Sequence, residues 1–377
     1  MKLLHQVLMW LGIAISSMFV GQAVPSESFP AIFLLCLMLF VAAVALHELG
    51  HALAVIGVGA RIVHMGVGSL FIERRLRGVR VRLRSPVAGT AGSVMAVPDC
   101  SRSVRRQMLW IFSGGPLANA LTAALCLALS WPDLWVRNPA FLLRTEPGRL
   151  WLAFGLLNGT LALVNLIPVR FFLPNDGLQI LFWWRNAPET QAYRRVMQAC
   201  DQSLNGVTAA ELPQEQIDWF ETCPDINMRF FGRYLGLRAA QQRGDATAFA
   251  SVLARCEGEL ENLDAKERKA LQQIWTVFRV EQAFERACMG EIEPLPATRD
   301  LLRNLPPYLR YRLEAAQAWA RGDVAGCRRA IEKAERDLRG EFDAAARKAE
   351  PVLLDRLREK LDGAGANTDT KSIAGRA

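Results

Sequence analysis

Leu46-His47-Glu48-Leu49-Gly50-His51 lies inside an apolar run, and that setting decides how the first half of the chain folds. Residues 31–60 read AIFLLCLMLFVAAVALHELGHALAVIGVGA, and apart from Cys36 their only ionisable side chains are His47, Glu48 and His51. A run of this length is enough to cross a bilayer as a helix. Ionisable groups placed in lipid are costly, so three together are expected to satisfy something specific. On a helix, residues i and i+4 share a face, so the imidazoles of His47 and His51 can grip one metal ion with Glu48 beside it. That is a zinc-hydrolase arrangement: zinc takes three protein ligands and a water, makes that water acidic, and a nearby glutamate moves its proton. The plain alternative is a pair of core histidines packed against neighbours, although neutral side chains would pack in a membrane at lower cost.

With 377 residues and 51% hydrophobic content, and a mean hydropathy of +0.12, the chain is too apolar for an ordinary soluble protein. It is also too charged to lie in a membrane throughout. The apolar segments crowd into the first half; the second is rich in Arg, Glu, Ala and Gln. A net charge of +8 could suggest nucleic acid, but the arginines cluster beside apolar segments, where the positive-inside bias explains them, so no nucleic-acid partner is expected. Eight cysteines show no CxxC spacing and read as reduced thiols of a part facing the cytoplasm. His5 and His64 have no partner pattern.

Residues 3–20 form the first apolar segment, read as an uncleaved helix, with a signal peptide cut after Gly21-Gln22-Ala23 as the alternative. The VPSESFP loop then lies outside, and the helix carrying His47 runs inward. Ten arginines between Arg61 and Arg106 place the next loop in the cytoplasm. His51 precedes Arg61 by ten residues, which at about 1.5 Å per residue puts the metal roughly 15 Å inside the membrane. Within the loop, GVRVRLR alternates like a strand, and SPVAGTAGSVMAV is a second extended piece at the bilayer edge. Together they form a hairpin that could present a substrate strand or simply connect. The third segment, Met108 to Trp131, contains Ser113-Gly114-Gly115-Pro116-Leu117-Ala118-Asn119. Small residues there let it pack tightly on the metal-bearing helix, Gly-Gly-Pro is expected to bend it, and Asn119 is an internal hydrogen-bond donor. The fourth runs from Leu150 to Val169, then breaks into a turn around Asn175-Asp176-Gly177 and a short capped helix. Asp176 either sits in water or reaches back to complete a His, His, Asp metal site.

HELGH on one apolar helix, GGPLAN on the next, and Asn165-x-x-Pro168 followed by Asp176-Gly177 together resemble the site-2 protease family of intramembrane zinc metalloproteases, over about residues 31–185. The resemblance implies that His47, His51 and Asp176 bind Zn2+ and that Glu48 is the general base for peptide hydrolysis in or near a transmembrane segment. It also implies that Asn165 positions substrate or stabilises the transition state. The family usually carries leucine directly before Asp-Gly, with a shorter gap after the proline; here Asn175 stands in that place. The loop after HELGH is too short for the PDZ module of some members.

Two stretches of the second half, RYLGLRAAQQRGDATAFASVLARC and YLRYRLEAAQAWARGDVAGCRRAIEKA, match around Arg-Gly-Asp at 243–245 and 321–323. They suggest helical hairpins resembling the tetratricopeptide type, a surface that docks protein segments or simply stabilises the C-terminus. The expected whole is an all-α polytopic membrane protein of four transmembrane helices with a small interfacial β-hairpin-like loop and a soluble helical-repeat domain. Its parts are a first helix and outer loop (1–30), a metalloprotease core (31–185), a joining region (186–225), a cytoplasmic helical domain (226–362) and a disordered tail (363–377). The expected activity is intramembrane proteolysis in the plasma or inner membrane, with a transmembrane protein as substrate, the lipid bilayer as surroundings and a protein partner on the helical domain. The rival is a catalytically silent membrane adaptor that uses that domain to bind partners. Intact Glu48 argues against it, and a metal transporter would need more intramembrane ligands.

Overall fold

A computed structural model describes residues 2–23, 29–84, 90–135, 146–170, 173–292 and 305–374. The described residues are 75% helical and form 13 helices and a small antiparallel sheet. The chain divides into two compact units, one of residues 1–74 and 79–201, the other of 75–78 and 202–377.

In the first unit, four helices are long and apolar enough to cross a membrane: α1 (Lys2–Ala23), α2 (Phe29–Gly57), α3 (Val104–Trp135) over its Val104–Ser130 part, and α4 (Glu146–Leu166) over Gly148–Leu166. Outward-facing Leu3, Phe33, Leu53 and Leu121 are each more than half exposed, which suits a lipid solvent better than water. Helices α2 and α3 approach through reciprocal glycines. A Cβ on Gly50 would run into the Gly114 carbonyl, and one on Gly114 would stand 2.5 Å from the Gly50 carbonyl oxygen. The expected tight fit of the two helices is present, and α3 continues as one helix through Gly114-Gly115-Pro116. Residues 136–145, between α3 and α4, are not among those described.

The loop between α2 and α3 is a four-stranded sheet, where a hairpin was expected. Strands β1 (Arg61–Val67), β2 (Leu70–Arg74), β3 (Val79–Leu83) and β4 (Gly92–Val97) are ordered β3-β2-β1-β4, all antiparallel. The expected strands correspond to β3 and β4; β1 and β2 complete the sheet by pairing Met65 with both Ile72 and Val94. Helix α5 (Asp176–Arg185) follows α4 and buries Trp183 against Val55, Met108 and Ile111. Helix α6 (Glu189–Leu204) comes next.

The described elements of the second unit are helices: α7 (Gln214–Glu221), α8 (Ile226–Arg243), α9 (Ala246–Glu261), α10 (Ala265–Cys288), α11 (Pro307–Ala320), α12 (Val324–Leu338) and α13 (Ala344–Ala374). Both Arg-Gly-Asp strings form the same turn. Gly244 and Gly322 take left-handed φ of 72° and 75°, and Asp245 and Asp323 cap the following helices by accepting from Ala248 N at 2.9 Å and Gly326 N at 2.7 Å. The stretch expected as a joining region holds α6 and α7, and α13 continues through Ala374 into the tail expected to lack order. No proline follows Pro351 to interrupt it, and each added residue of an existing helix gains one backbone bond.

Candidate metal centre

Three side chains from two distant parts of the chain meet at one point. His47 and His51 lie one turn apart on α2, and Asp176 opens α5. Their donor atoms all lie within 4.8 Å of one another, a grouping that could hold a metal ion. His47 Nε2 stands 3.0 Å from Asp176 Oδ2, His51 Nε2 3.4 Å from the same oxygen, and the two Nε2 atoms 3.1 Å apart. His47 and His51 are 9% and 8% exposed.

The far side of each ring fixes what the near side offers. His51 Nδ1 is 2.6 Å from the Ile111 carbonyl, an atom that can only accept, so Nδ1 carries the proton and Nε2 a lone pair. His47 Nδ1 donates in the same way to Asn119 Oδ1 at 3.1 Å. With both Nδ1 atoms turned to acceptors, the two Nε2 atoms face the Asp176 carboxylate oxygen, three ligand atoms that a cation could bind together. The bare backbone of Gly115 lets α3 pass close to both rings: a Cβ there would collide with His51 Nε2 and come 2.6 Å from His47 Nε2. Two imidazoles and a carboxylate form a donor set suited to zinc.

Glu48 is 6% exposed beside His47, and its carboxylate lies against β4, where a Cβ on Gly92 would sit 2.5 Å from Oε1. The sheet thus brings an edge strand up to this acid. Asn119, fully buried, acts as an acceptor, a correction to the donor role expected of it; its Nδ2 has no partner among the described residues.

Asn175, which breaks the usual leucine pattern, holds the turn that presents Asp176. Its Oδ1 accepts from Val169 N and Leu178 N, both at 3.1 Å, and its Nδ2 donates to Ile167 O at 2.8 Å and Val164 O at 3.3 Å. The first bond belongs to the turn, the second caps α5, and the last two tie the turn to the end of α4. Gly177 lets α5 start against α4, since a Cβ there would collide with the Leu166 carbonyl. The side chain of Asn165 makes no hydrogen bond among the described residues and is not drawn into the His47, His51 and Asp176 cluster.

The model of Peptidase family M50 matches residues 34–135. No curated protein and no solved structure matches the chain. The M50 match covers His47, Glu48, His51, Gly115 and Asn119 and stops short of Asn165 and Asp176. It indicates a metallopeptidase, and the family's members are zinc metalloproteases. The geometry adds Asp176 to the histidines that the M50 match contains.

Proposed function

We propose that this chain is an intramembrane zinc metalloprotease, similar to site-2 proteases, that hydrolyses peptide bonds within or near transmembrane segments of membrane proteins. The observation that carries the reading is the convergence of two lone pairs and a carboxylate beside a buried glutamate, on a helix long and apolar enough to span a bilayer. Zinc held by His47, His51 and Asp176 would supply a Lewis acid and make water nucleophilic near neutral pH. Glu48 takes the proton from the attacking water and delivers it to the leaving amine. Asn119 and the Ile111 carbonyl keep both rings in the tautomer that points Nε2 inward. A helical segment shields its carbonyls, so the substrate must unwind locally; an extended peptide laid along β4 would bring its backbone to Glu48. Asn165, whose side chain is not committed to another hydrogen bond among the described residues, is placed in the role of holding that backbone.

The bilayer is the surrounding medium in this reading. Arginines on the loop between α2 and α3 and eight free cysteines support a cytoplasmic loop and C-terminal domain. The Arg-Gly-Asp hairpins support a helical-repeat domain of tetratricopeptide character that docks a protein partner.

The test compares membrane-protein fragments in cells expressing the wild type or Glu48→Gln, which leaves the three metal-binding side chains in place. A membrane-anchored protein released by the wild type and kept intact with the variant supports the reading and names the substrate. Indistinguishable fragments with zinc still bound would instead favour the adaptor.

A further inference from the structure

Two grooves flank the start of α3. The larger, about 590 Å³, is lined by Ala54 and Gly57 of α2, by Val58 just past it, and by Arg102, Arg106 and Trp110. The smaller, about 360 Å³, lies between α3 and α5 and is lined by Leu109, Ile180 and Trp184 together with Arg105, Arg106 and Trp110. They share Ser103, Arg106 and Trp110, so they diverge from one polar point into two largely apolar channels.

The arginines at that point are not equivalent. Arg105 is committed to the Trp183 and Trp184 carbonyls at 2.9 and 2.6 Å, and Arg102 stands 3.4 Å from Asp99. The guanidinium of Arg106 is exposed and pairs with no acid among the described residues. Trp110 and Trp184 are 53% and 67% exposed, amphipathic rings where a membrane's polar and apolar zones meet. A guanidinium recognises phosphate oxygens through paired donors. One polar point opening into two apolar channels matches a molecule with one phosphate head and two acyl chains.

We propose that Arg106, Trp110 and the twin grooves beside them seat an anionic phospholipid, its phosphate on Arg106 and one chain in each groove. The inference rests on the membrane reading given above, and not on the metal site. Basic pockets between membrane helices are a recurring way of holding such head groups.

The experiment is native mass spectrometry of the detergent-solubilised full chain titrated with phosphatidylglycerol, phosphatidylcholine or inorganic phosphate. The expected result is retention of phosphatidylglycerol about fivefold or more tighter than phosphatidylcholine, with no retention of phosphate alone. Arg106→Glu should remove that preference, whereas Arg185→Glu, exposed one residue past Trp184 and outside both grooves, should keep it. Equal retention of the two lipids, equal losses in the two variants, or phosphate binding as well as the lipid would each overturn the site. Resistance of the protein to alkaline extraction from membranes is measured alongside. If the chain washes off, the membrane reading has failed; if it stays and shows no lipid preference, only this inference has.

Discussion

Two buried clusters of ionisable groups, one in each unit, are composed in opposite ways. In the second unit, Glu281 and Glu350, 0% and 2% exposed, are interleaved with Arg238 and Arg312, 6% and 1% exposed. Arg238 Nη1 is 3.0 Å from Glu281, Arg312 Nη1 is 3.0 Å from Glu350, and each arginine also pairs with the other glutamate. Two cations and two anions balance one another in charge, and Gln241 adds a hydrogen bond to Glu281 at 2.9 Å. In the first unit, His47, His51 and Asp176 bring only acceptors together, and no arginine or lysine faces them among the described residues. A charge cluster that is complete reads as structure. One whose converging side chains include no arginine or lysine among the described residues reads as a site.

The hardest test of this contrast exchanges the two roles. Asp176→Ala should abolish peptidase activity and empty the purified chain of zinc, measured by inductively coupled plasma mass spectrometry, with the second unit still folded. Glu281→Ala should do the reverse. It leaves two guanidiniums facing one carboxylate, at a cost of about 3–5 kcal/mol to the unit's stability, read by thermal unfolding, while zinc content holds. If Glu281→Ala also emptied the metal site, the two clusters would not be independent and the contrast would fail.

Acid provides a gentler version. Burial alone would raise the Glu281 carboxyl, but Arg238 and Arg312 hold it below its ordinary value. A depressed folded value means that the contribution to stability is complete above the unfolded pKa, about 4.3, and is lost as pH falls through the lower folded one. The part of the second unit's stability that Glu281 contributes should therefore be lost in that acid range. In Glu281→Gln this part of the acid dependence should be absent, which unfolding curves across the range would check.

How much of this could be read in the sequence follows from how local each feature is. His47, Glu48 and His51 lie within five residues of one helix, and their spacing was sufficient. Asp176 is 129 residues from His47; its turn leaves it open between water and the metal, and the resemblance to a family motif is what favours the metal. Asn119 was singled out, but its role as an acceptor depends on the ring it meets 72 residues away. Strands β1 and β2 were missed because β1 is half-buried along nearly its whole length, with no alternation to betray a period of two. The quartet in the second unit draws on four separate helices, and no single one of them carries a signal.

Removing the ring partner has a smaller effect than removing a ligand. Asn119→Leu takes away the acceptor that fixes His47, leaving His47 Nδ1 buried without a partner. Loss of such a partner lowers metal affinity about 10–100-fold, which a competitive zinc titration would measure. Asn119→Asp keeps an acceptor oxygen and should retain much of that affinity; if it binds zinc no better than Asn119→Leu, the hydrogen bond is not what Asn119 contributes.

Asn175 supplies the smallest effect and the closest comparison, because the residue it replaces is the one its relatives by motif usually carry. Leucine there would fill space but could not accept from Val169 N and Leu178 N or donate to Ile167 O and Val164 O. The cap on α5 alone is worth about 0.5–2 kcal/mol, and that energy holds Asp176 at the histidines. Asn175→Leu should therefore weaken zinc binding by up to roughly one order of magnitude, since 1.4 kcal/mol is tenfold, while protein recovery stays unchanged. Asn175→Asp, which keeps the cap acceptor but gives up both donated bonds, should fall between. Were Asn175→Leu to bind zinc as tightly as the wild type, the longer turn would be holding itself, and Asn175 would be a variation without consequence for Asp176.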